Sequence, residues 1–116
     1  MGLSKIEIII QMDKLTELKV ALSSYGMEGM TVMPVLGCGV EKGTKEYEVD
    51  KNYVMELLPK YQVNLLVETE KVKEIVELVK ETLYTGHIGD GKIVVYKLDN
   101  VIRVRTGEEG TSALHK

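Results

Sequence analysis

The spacing of apolar and polar residues predicts a strand, a helix and a second strand in the first part of the chain. Residues 5–11 (KIEIIIQ) are rich in isoleucine, as in a buried strand. Residues 12–26 repeat apolar positions at helical spacing, and Gly26 can adopt the left-handed conformation that ends a helix. Asp13 is a candidate cap for the start of this helix. The β-branched and apolar run 29–37 (GMTVMPVLG) predicts the second strand.

The second half of the chain repeats the same kinds of element. Residues 61–68 alternate apolar with polar positions, residues 69–83 place five aliphatic residues on one helical face, and residues 92–98 form a β-branched run. Pro34 lacks a backbone N–H, so the second strand is expected to have an unpaired stretch there or to lie at a sheet edge. The order β-α-β-β-α-β predicts an α+β, ferredoxin-like fold, a four-stranded antiparallel sheet with both helices on one face. Apolar residues on both sheet faces predict oligomerisation through the open face.

Two loops stand outside this pattern. Residues 38–56 show neither helical nor strand periodicity, and a loop of that length in a compact domain usually has a function. Residues 85–92 (TGHIGDGK) contain three glycines where a plain turn needs one. Backbone N–H groups of a glycine-rich turn can form a nest for anions, and Lys92 adds positive charge. The residues alone leave two interpretations open, a phosphate-binding loop and a simple turn with solvated basic neighbours.

Basic residues elsewhere could complete an anion site around the glycine loop. Arg103 and Arg105 alternate in VIRVR, so an extended backbone would point both side chains to one side. Lys42 and Lys60 flank the long loop. Guanidinium and ammonium groups together fit a polyphosphate. Neither nucleotide fingerprint, G-x-G-x-x-G or G-x-x-x-x-G-K-[ST], is present, so the basic residues indicate an anion rather than a particular nucleotide.

Composition narrows the class of protein. The 116 residues are 44% hydrophobic and 28% charged, which predicts one globular domain over residues 1–116. A net charge of -3, with six Tyr and no Phe or Trp, argues against nucleic-acid binding. The single cysteine, Cys38, and the absence of a long apolar segment predict a cytoplasmic protein without membrane insertion. Scarce histidine and the lack of a Ser-His-Asp or Cys-His arrangement argue against an enzyme.

Several separated motifs resemble the PII family of nitrogen-regulatory signalling proteins. The glycine loop matches the family signature at Thr85, Gly89, Asp90, Gly91, Lys92 and Ile93. The stretches 26–39 (GMEGMTVMPVLGCG), 56–60 (ELLPK) and 101–110 (VIRVRTGEEG) also fit, without gaps from residue 5 to about 110. The resemblance implies a homotrimer of ferredoxin-like subunits that binds ATP or ADP in clefts between subunits and regulates nitrogen metabolism.

The same resemblance implies the residues of the nucleotide site. The first three residues of the predicted second strand line the adenine, and two glycines at and just after its end let the backbone approach the nucleotide. The glycine loop and the basic residues hold the phosphates, with the arginines supplied by a neighbouring subunit. The implied residues are Gly29, Met30, Thr31, Gly37, Gly39, Lys42, Gly89, Asp90, Gly91, Lys92, Arg103 and Arg105.

The long loop, about residues 38–56, corresponds to the family's T-loop, which docks onto targets such as an ammonium transporter or a nitrogen-metabolism enzyme. Glu41 stands where the family has a glutamine that binds Mg²⁺ beside 2-oxoglutarate, and Lys60 matches the lysine that pairs with 2-oxoglutarate. A carboxylate at position 41 is a good Mg²⁺ ligand but repels a dicarboxylate, so weakened 2-oxoglutarate binding is expected. Tyr53 falls at a position that is uridylylated in some members; its different flanking residues favour an unmodified exposed tyrosine.

An alternative within the same fold is a PII-like regulator with altered effector specificity, which senses adenylate energy, bicarbonate or a metal and responds weakly to 2-oxoglutarate. Val49 replaces the arginine that in relatives plugs an ammonium-transporter pore, and Asn64 replaces a glutamate near the nucleotide. Residues 111–116 are expected to form a flexible tail.

Overall fold

Four strands and two helices follow one another in the predicted order in the computed structural model, which describes residues 2–39 and 56–115. The strands are β1 (Leu3–Gln11), β2 (Thr31–Gly39), β3 (Glu56–Glu68) and β4 (Lys92–Leu98). The helices are α1 (Leu15–Tyr25) and α2 (Val72–Leu83). Short 3-10 turns precede the helices at Met12–Lys14 and Thr69–Lys71, and another forms at Gly110–Ala113.

The strands form one antiparallel sheet in the order β2-β3-β1-β4. Ile8 in the middle of β1 lies between Val63 of β3 and Ile93 of β4. Pro34 lies in β2, an edge strand, as its missing N–H predicts. This topology confirms the ferredoxin-like α+β fold.

The core lies between one sheet face and the two helices. Alternate residues of β1 and β3 point into it, together with helix residues spaced three or four apart, as the periodicity predicts. The buried residues of this cluster are Ile6, Ile8, Ile10, Leu18, Leu22, Val63, Leu65, Val67, Ile75, Val79 and Leu83. The helices are also joined at the surface, where the Tyr25 hydroxyl donates to Glu74. That hydrogen bond raises the pKa of Tyr25 to about 12.

The ends of α1 confirm one sequence prediction and correct another. Gly26 has φ +105° and its N–H bonds to the carbonyls of Leu22 and Ser23, so it ends the helix as predicted. The predicted Asp13 cap is wrong, because the chain enters the helix through a 3-10 turn that already contains Asp13. The position before that turn is Gln11, and no side chain caps it. Asp13 instead places a negative charge in the first turn, where it interacts favourably with the positive end of the helix dipole.

The structure extends β3 five residues towards the N-terminus of its predicted start at Tyr61. Residues 56–60 pair with residues 35–39 of β2, and residues 56–59 lie beyond Lys60, the last residue of β3 with a β1 partner. Residues 56–59 and their β2 partners form a two-stranded ribbon with no core on either side, and Leu36 and Leu57 are both more than 60% exposed. Because neither face of this ribbon is buried, its sequence does not need to alternate apolar and polar residues. The sequence pattern therefore did not reveal it.

Strand pairing therefore reaches into both ends of the predicted T-loop. Gly39 lies opposite Glu56, so the described strands enclose residues 40–55. Four residues with an expected role or substitution, Glu41, Lys42, Val49 and Tyr53, lie outside the described residues. Within the described residues, neither helix is long and apolar enough to cross a membrane.

Candidate functional site

The glycine loop between α2 and β4 owes its glycines to backbone geometry. Gly86, Gly89 and Gly91 have φ values of +85°, +106° and +104°, in the left-handed region that favours glycine. A Cβ on Gly91 would lie 1.9 Å from the carbonyl oxygen of Ile9, so the loop backbone is pressed directly against β1. The loop therefore enters β4 in a shape that other residues would strain.

Asp90 holds this loop closed. Its Oδ2 accepts hydrogen bonds from the backbone nitrogens of Thr85 at 2.9 Å and Gly86 at 3.0 Å, and its Oδ1 accepts from the Thr85 hydroxyl. The hydrogen bond from the Thr85 hydroxyl is the main cause that lowers the pKa of the Asp90 carboxyl. The hydroxyl in turn accepts from the backbone nitrogen of His87 at 3.2 Å. Asp90 is thus engaged within the loop, and the geometry supports a positioning role rather than direct contact with phosphate.

A second group of predicted residues lies at the opposite edge of the sheet. A pocket of about 360 Å³ opens beside the start of β2, with Gly29, Met30 and Thr31 in its lining. Much of the remaining wall is apolar and includes Met27 and Leu66. The polar residues of its lining include Asn64, which is paired with Thr31 across β2 and β3. An apolar pocket with a few convergent polar groups suits a flat heterocyclic base.

Both predicted arginines line a cavity that adjoins this pocket. Arg103 and Arg105 share it with Gly29 and with Leu114 and His115, which also line the first pocket. The side chain of Arg103 also forms an ion pair with Glu108 at 3.0 Å. An apolar pocket followed by two guanidinium groups has the order of features that a nucleotide presents, a base followed by phosphates.

The prediction that Arg103 and Arg105 lie in an extended segment is wrong. Residues 104–106 form a turn, in which the Gly107 N–H bonds to the Arg103 carbonyl at 2.7 Å. Ile102 then bridges to Glu109 in an antiparallel pair. Gly107 has φ +74°, a conformation that lets the chain fold back on itself. The arginines come together through this turn rather than through strand alternation.

The glycine loop and the arginine cavity do not meet within one chain. Lys92 begins edge strand β4 and Thr31 begins edge strand β2, with β1 and β3 between them. Three strand spacings separate these edges by about 14 Å. The pocket that Gly91 and Lys92 line contains neither arginine. The chain therefore carries two half-sites on opposite edges of its sheet.

Lys60 and Gly37 lie together near the end of the sheet. Lys60 is 9% exposed on β3, and a Cβ on Gly37 would lie 3.3 Å from its Cγ. The contact that the structure shows for Gly37 is thus with the stem of Lys60. Gly39 lies in β2 opposite Glu56. Among the described residues, no group of three or more His, Cys, Asp or Glu side chains could hold a metal ion.

The C-terminal residues contribute to the site in a way that the sequence did not reveal. His115 places Nδ1 3.2 Å from Glu28 and Nε2 3.3 Å from Glu68, and these hydrogen bonds, chiefly the one to Glu68, raise its pKa. These partners are 87 and 47 residues away along the chain, so no local pattern connects them. The predicted flexibility of residues 111–116 stays a prediction, although the 3-10 turn Gly110–Ala113 gives the start of this segment a defined conformation.

Together the fold and the two half-sites define a class, a ferredoxin-like α+β domain with a glycine loop at one sheet edge and an arginine-lined pocket at the other. The family model described as nitrogen regulatory protein P-II matches residues 3–108. The chain belongs to this family. It is therefore a nitrogen regulatory signal protein rather than an enzyme, as the sequence motifs predict.

Individual relatives agree over nearly the whole chain. The nitrogen regulatory protein P-II of Pasteurella multocida (strain Pm70) is 44% identical over 112 residues, which cover 97% of this chain and 100% of the relative. A solved structure of the B. subtilis GlnK–ATP complex superposes with a TM-score of 0.81 at 33% identity and covers 97% of this chain and 98% of that one. Arabidopsis thaliana PII bound to citrate gives a TM-score of 0.79 at 30% identity, over 99% of this chain and 92% of that one. These superpositions confirm the fold.

Proposed function

We propose that the protein is a cytoplasmic homotrimer that binds ATP or ADP in clefts between neighbouring subunits and regulates nitrogen metabolism through its T-loop. The observation that carries this proposal is the location of the two half-sites on opposite edges of the sheet. Contact between two different edges is a heterologous interface, and such interfaces close into rings when the rotation allows. Each cleft of a closed ring would join the glycine loop of one subunit to the arginines of the next.

The open sheet face supports a closed assembly. It bears Met33, Leu66, Val94 and Tyr96, each between 37% and 45% exposed. Apolar side chains on a face without helices are a typical subunit contact. Packing of three such faces around an axis would remove them from water and bring the strand edges of neighbouring subunits together.

The ligand follows from the chemistry of the half-sites. The apolar pocket takes the adenine, the arginine cavity and Lys92 take the phosphates, and Gly89, Asp90 and Gly91 shape the loop beside them. The similarity to the B. subtilis GlnK–ATP complex supports ATP as one ligand. In this proposal Lys42 also contacts the nucleotide, Glu41 binds the accompanying Mg²⁺, and Lys60 pairs with 2-oxoglutarate.

The output of this sensor is a protein contact. The loop between β2 and β3 would dock onto an ammonium transporter or a nitrogen-metabolism enzyme, and nucleotide would alter docking only through contacts that differ between loop states. Tyr53 lies in this loop and is the candidate for covalent modification.

Calorimetry with MgATP and MgADP tests nucleotide binding directly. We expect the wild type to bind nucleotide. In Lys92→Ala and in Arg103→Ala the dissociation constant should be at least tenfold larger, because each variant loses a charge-assisted contact worth about 1.5–3 kcal/mol. Lys97→Ala is the matched control, because Lys97 is an exposed lysine of the same strand as Lys92. A wild type that binds neither nucleotide would contradict the proposal, as would equal affinities in all four proteins.

Titration of 2-oxoglutarate into the MgATP-saturated protein separates the two candidate effector responses. Weak binding that strengthens in Glu41→Gln would support repulsion between Glu41 and the dicarboxylate. Nucleotide binding with no 2-oxoglutarate response in either protein would instead favour the regulator with altered effector specificity.

Sedimentation of the same samples should give a particle of three 13.0 kDa subunits.

A further inference from the structure

The two arginines of the candidate site lie on a short hairpin that folds back on itself. This segment, residues 100–110, is called the arginine hairpin below. Backbone hydrogen bonds cross it from the N–H of Arg103 to the carbonyl of Glu108, from Gly107 to Arg103 and from Gly110 to Val101. An isolated two-stranded hairpin is only marginally stable in water. The contacts that close this hairpin therefore decide how well it keeps its shape.

Asn100 closes the open end of the arginine hairpin with its side chain. Its Oδ1 accepts hydrogen bonds from the backbone nitrogens of Val101 at 2.9 Å and Gly110 at 3.2 Å. Its Nδ2 donates to the Glu109 carboxylate at 2.6 Å. Because an amide carries both an acceptor and a donor, this one side chain joins the first residues of the hairpin to the last.

The closed hairpin holds the arginines beside the cavity without bringing Asn100 into it. The guanidinium of Arg103 donates to Glu108 at 3.0 Å, and the Arg103 side chain is 20% exposed. Both Arg103 and Arg105 line the cavity beside the apolar pocket, whereas Asn100 is not part of its lining. Any effect of Asn100 on a ligand there must therefore pass through the hairpin.

We propose that Asn100 is a positioning residue of the phosphate site, which holds Arg103 and Arg105 in their receiving arrangement before a nucleotide arrives. The proposal rests on nucleotide binding by this site, as proposed above. When only a fraction of the molecules has a binding-competent arrangement, the apparent affinity falls by that fraction. Without the Asn100 contacts the hairpin spends part of its time in other arrangements. Phosphates then bind more weakly, while the base pocket is unaffected.

The chemistry of the Asn100 contacts offers a rescue that conserves charge. In Asn100→Asp the side chain still accepts from the two backbone nitrogens, but it loses its donor and faces the Glu109 carboxylate with a like charge. Adding Glu109→Gln places an amide donor opposite the new carboxylate. The double variant thus restores the contact with donor and acceptor exchanged, and its net charge equals that of the wild type.

Calorimetry on the full-length protein with MgATP, and with adenosine by displacement, tests this role, because adenosine has the base without the phosphates. In Asn100→Ala and Asn100→Asp we expect the MgATP dissociation constant to rise at least about tenfold and that of adenosine to stay within about twofold. The double variant should return MgATP to within about threefold of the wild type. Thr111→Ala is the matched control, since Thr111 is an exposed, neutral residue directly after the hairpin, and it should change neither ligand.

The outcomes separate the positioning role from nucleotide binding itself. Wild-type binding of MgATP that is unchanged in Asn100→Ala would overturn the role of Asn100 and leave the nucleotide site intact. Equal losses for MgATP and adenosine would also overturn it, because a general loss of folding or assembly weakens both ligands. No recovery in the double variant would contradict the proposed contact, and this comparison with Asn100→Asp remains decisive if Asn100→Ala does not fold. If the wild type binds no nucleotide, the proposed function fails and the positioning role fails with it.

Discussion

Gly91 is constrained at the residue scale by its own torsion angle and by contact with β1. We expect Gly91→Ala to lower the free energy of unfolding by about 3 kcal/mol or more, because the new Cβ meets the Ile9 carbonyl at 1.9 Å and φ is +104°. Gly29→Ala is the control, since nothing lies within 4 Å of its Cβ position; its effect should stay within about 0.5 kcal/mol. Urea unfolding at a fixed protein concentration measures both. Equal losses in the two variants would contradict the constraint at Gly91.

His115 provides a pH dependence at the same scale. Its two glutamate partners raise the folded-state pKa above the ordinary value of about 6.5. The stabilisation of the C-terminal turn is therefore complete below that ordinary value and is lost as pH rises through the folded-state pKa. Over the pH range in which NMR shows the His115 ring losing its proton, we expect the protection factor of the Leu114 amide, which bonds to the Thr111 carbonyl at 3.1 Å, to fall.

Replacement of both carboxylates supplies the control for this titration. In Glu28→Gln with Glu68→Gln the ring loses its charged partners, so its pKa should fall back towards the ordinary value. An identical titration in the wild type and in this double variant would show that the two glutamates do not hold the ring.

At the scale of elements, α2 is stabilised by one buried stripe. Ile75 is 0% exposed within that stripe, so Ile75→Ala should lower the free energy of unfolding by about 2–5 kcal/mol. Lys73 lies on the exposed side of the same helix, and Lys73→Ala should change stability by no more than about 0.5 kcal/mol. Denaturant unfolding of the two variants tests the assignment of the faces. A large loss in Lys73→Ala would contradict it.

Elements with a buried face could be predicted from the sequence, and elements without one could not. The bounds predicted for β4, residues 92–98, match the structure, and the inward positions Val63, Leu65 and Val67 of β3 are buried as predicted. The ribbon at residues 56–59 was missed because it buries neither face. The cap at Asp13 was wrong because a 3-10 turn, which no side-chain period marks, moved the helix start.

At the scale of the whole molecule, the two half-sites predict complementation between damaged subunits. Lys92→Ala removes the loop contribution and Arg103→Ala removes the arginine contribution. In a ring that contains both variants, one cleft pairs the intact loop of one copy with the intact arginines of its neighbour. We therefore expect co-expressed variants to recover ATP binding at one cleft in each mixed ring, measured by calorimetry.

The control is a mixture of the two variants after each has been purified as its own assembled ring. This mixture should not recover ATP binding unless subunits exchange between rings. If the loop and the arginines of one chain served the same nucleotide, co-expression would restore nothing. That outcome would exclude the shared cleft and leave nucleotide binding itself to be judged from the wild type.

The sequence by itself determined what depends on neighbours along the chain. Periodicity set the order of strands and helices, Gly26 ended α1, and the motif around residues 85–92 indicated the family, because local torsion preference and one-dimensional spacing are enough for each. Only the tertiary structure decided that the arginines lie at the other sheet edge from that loop, that Asp90 is engaged within the loop, and that His115 lies between Glu28 and Glu68. These arrangements join residues far apart in the chain, and their distances exist only once the sheet has paired and the helices have packed.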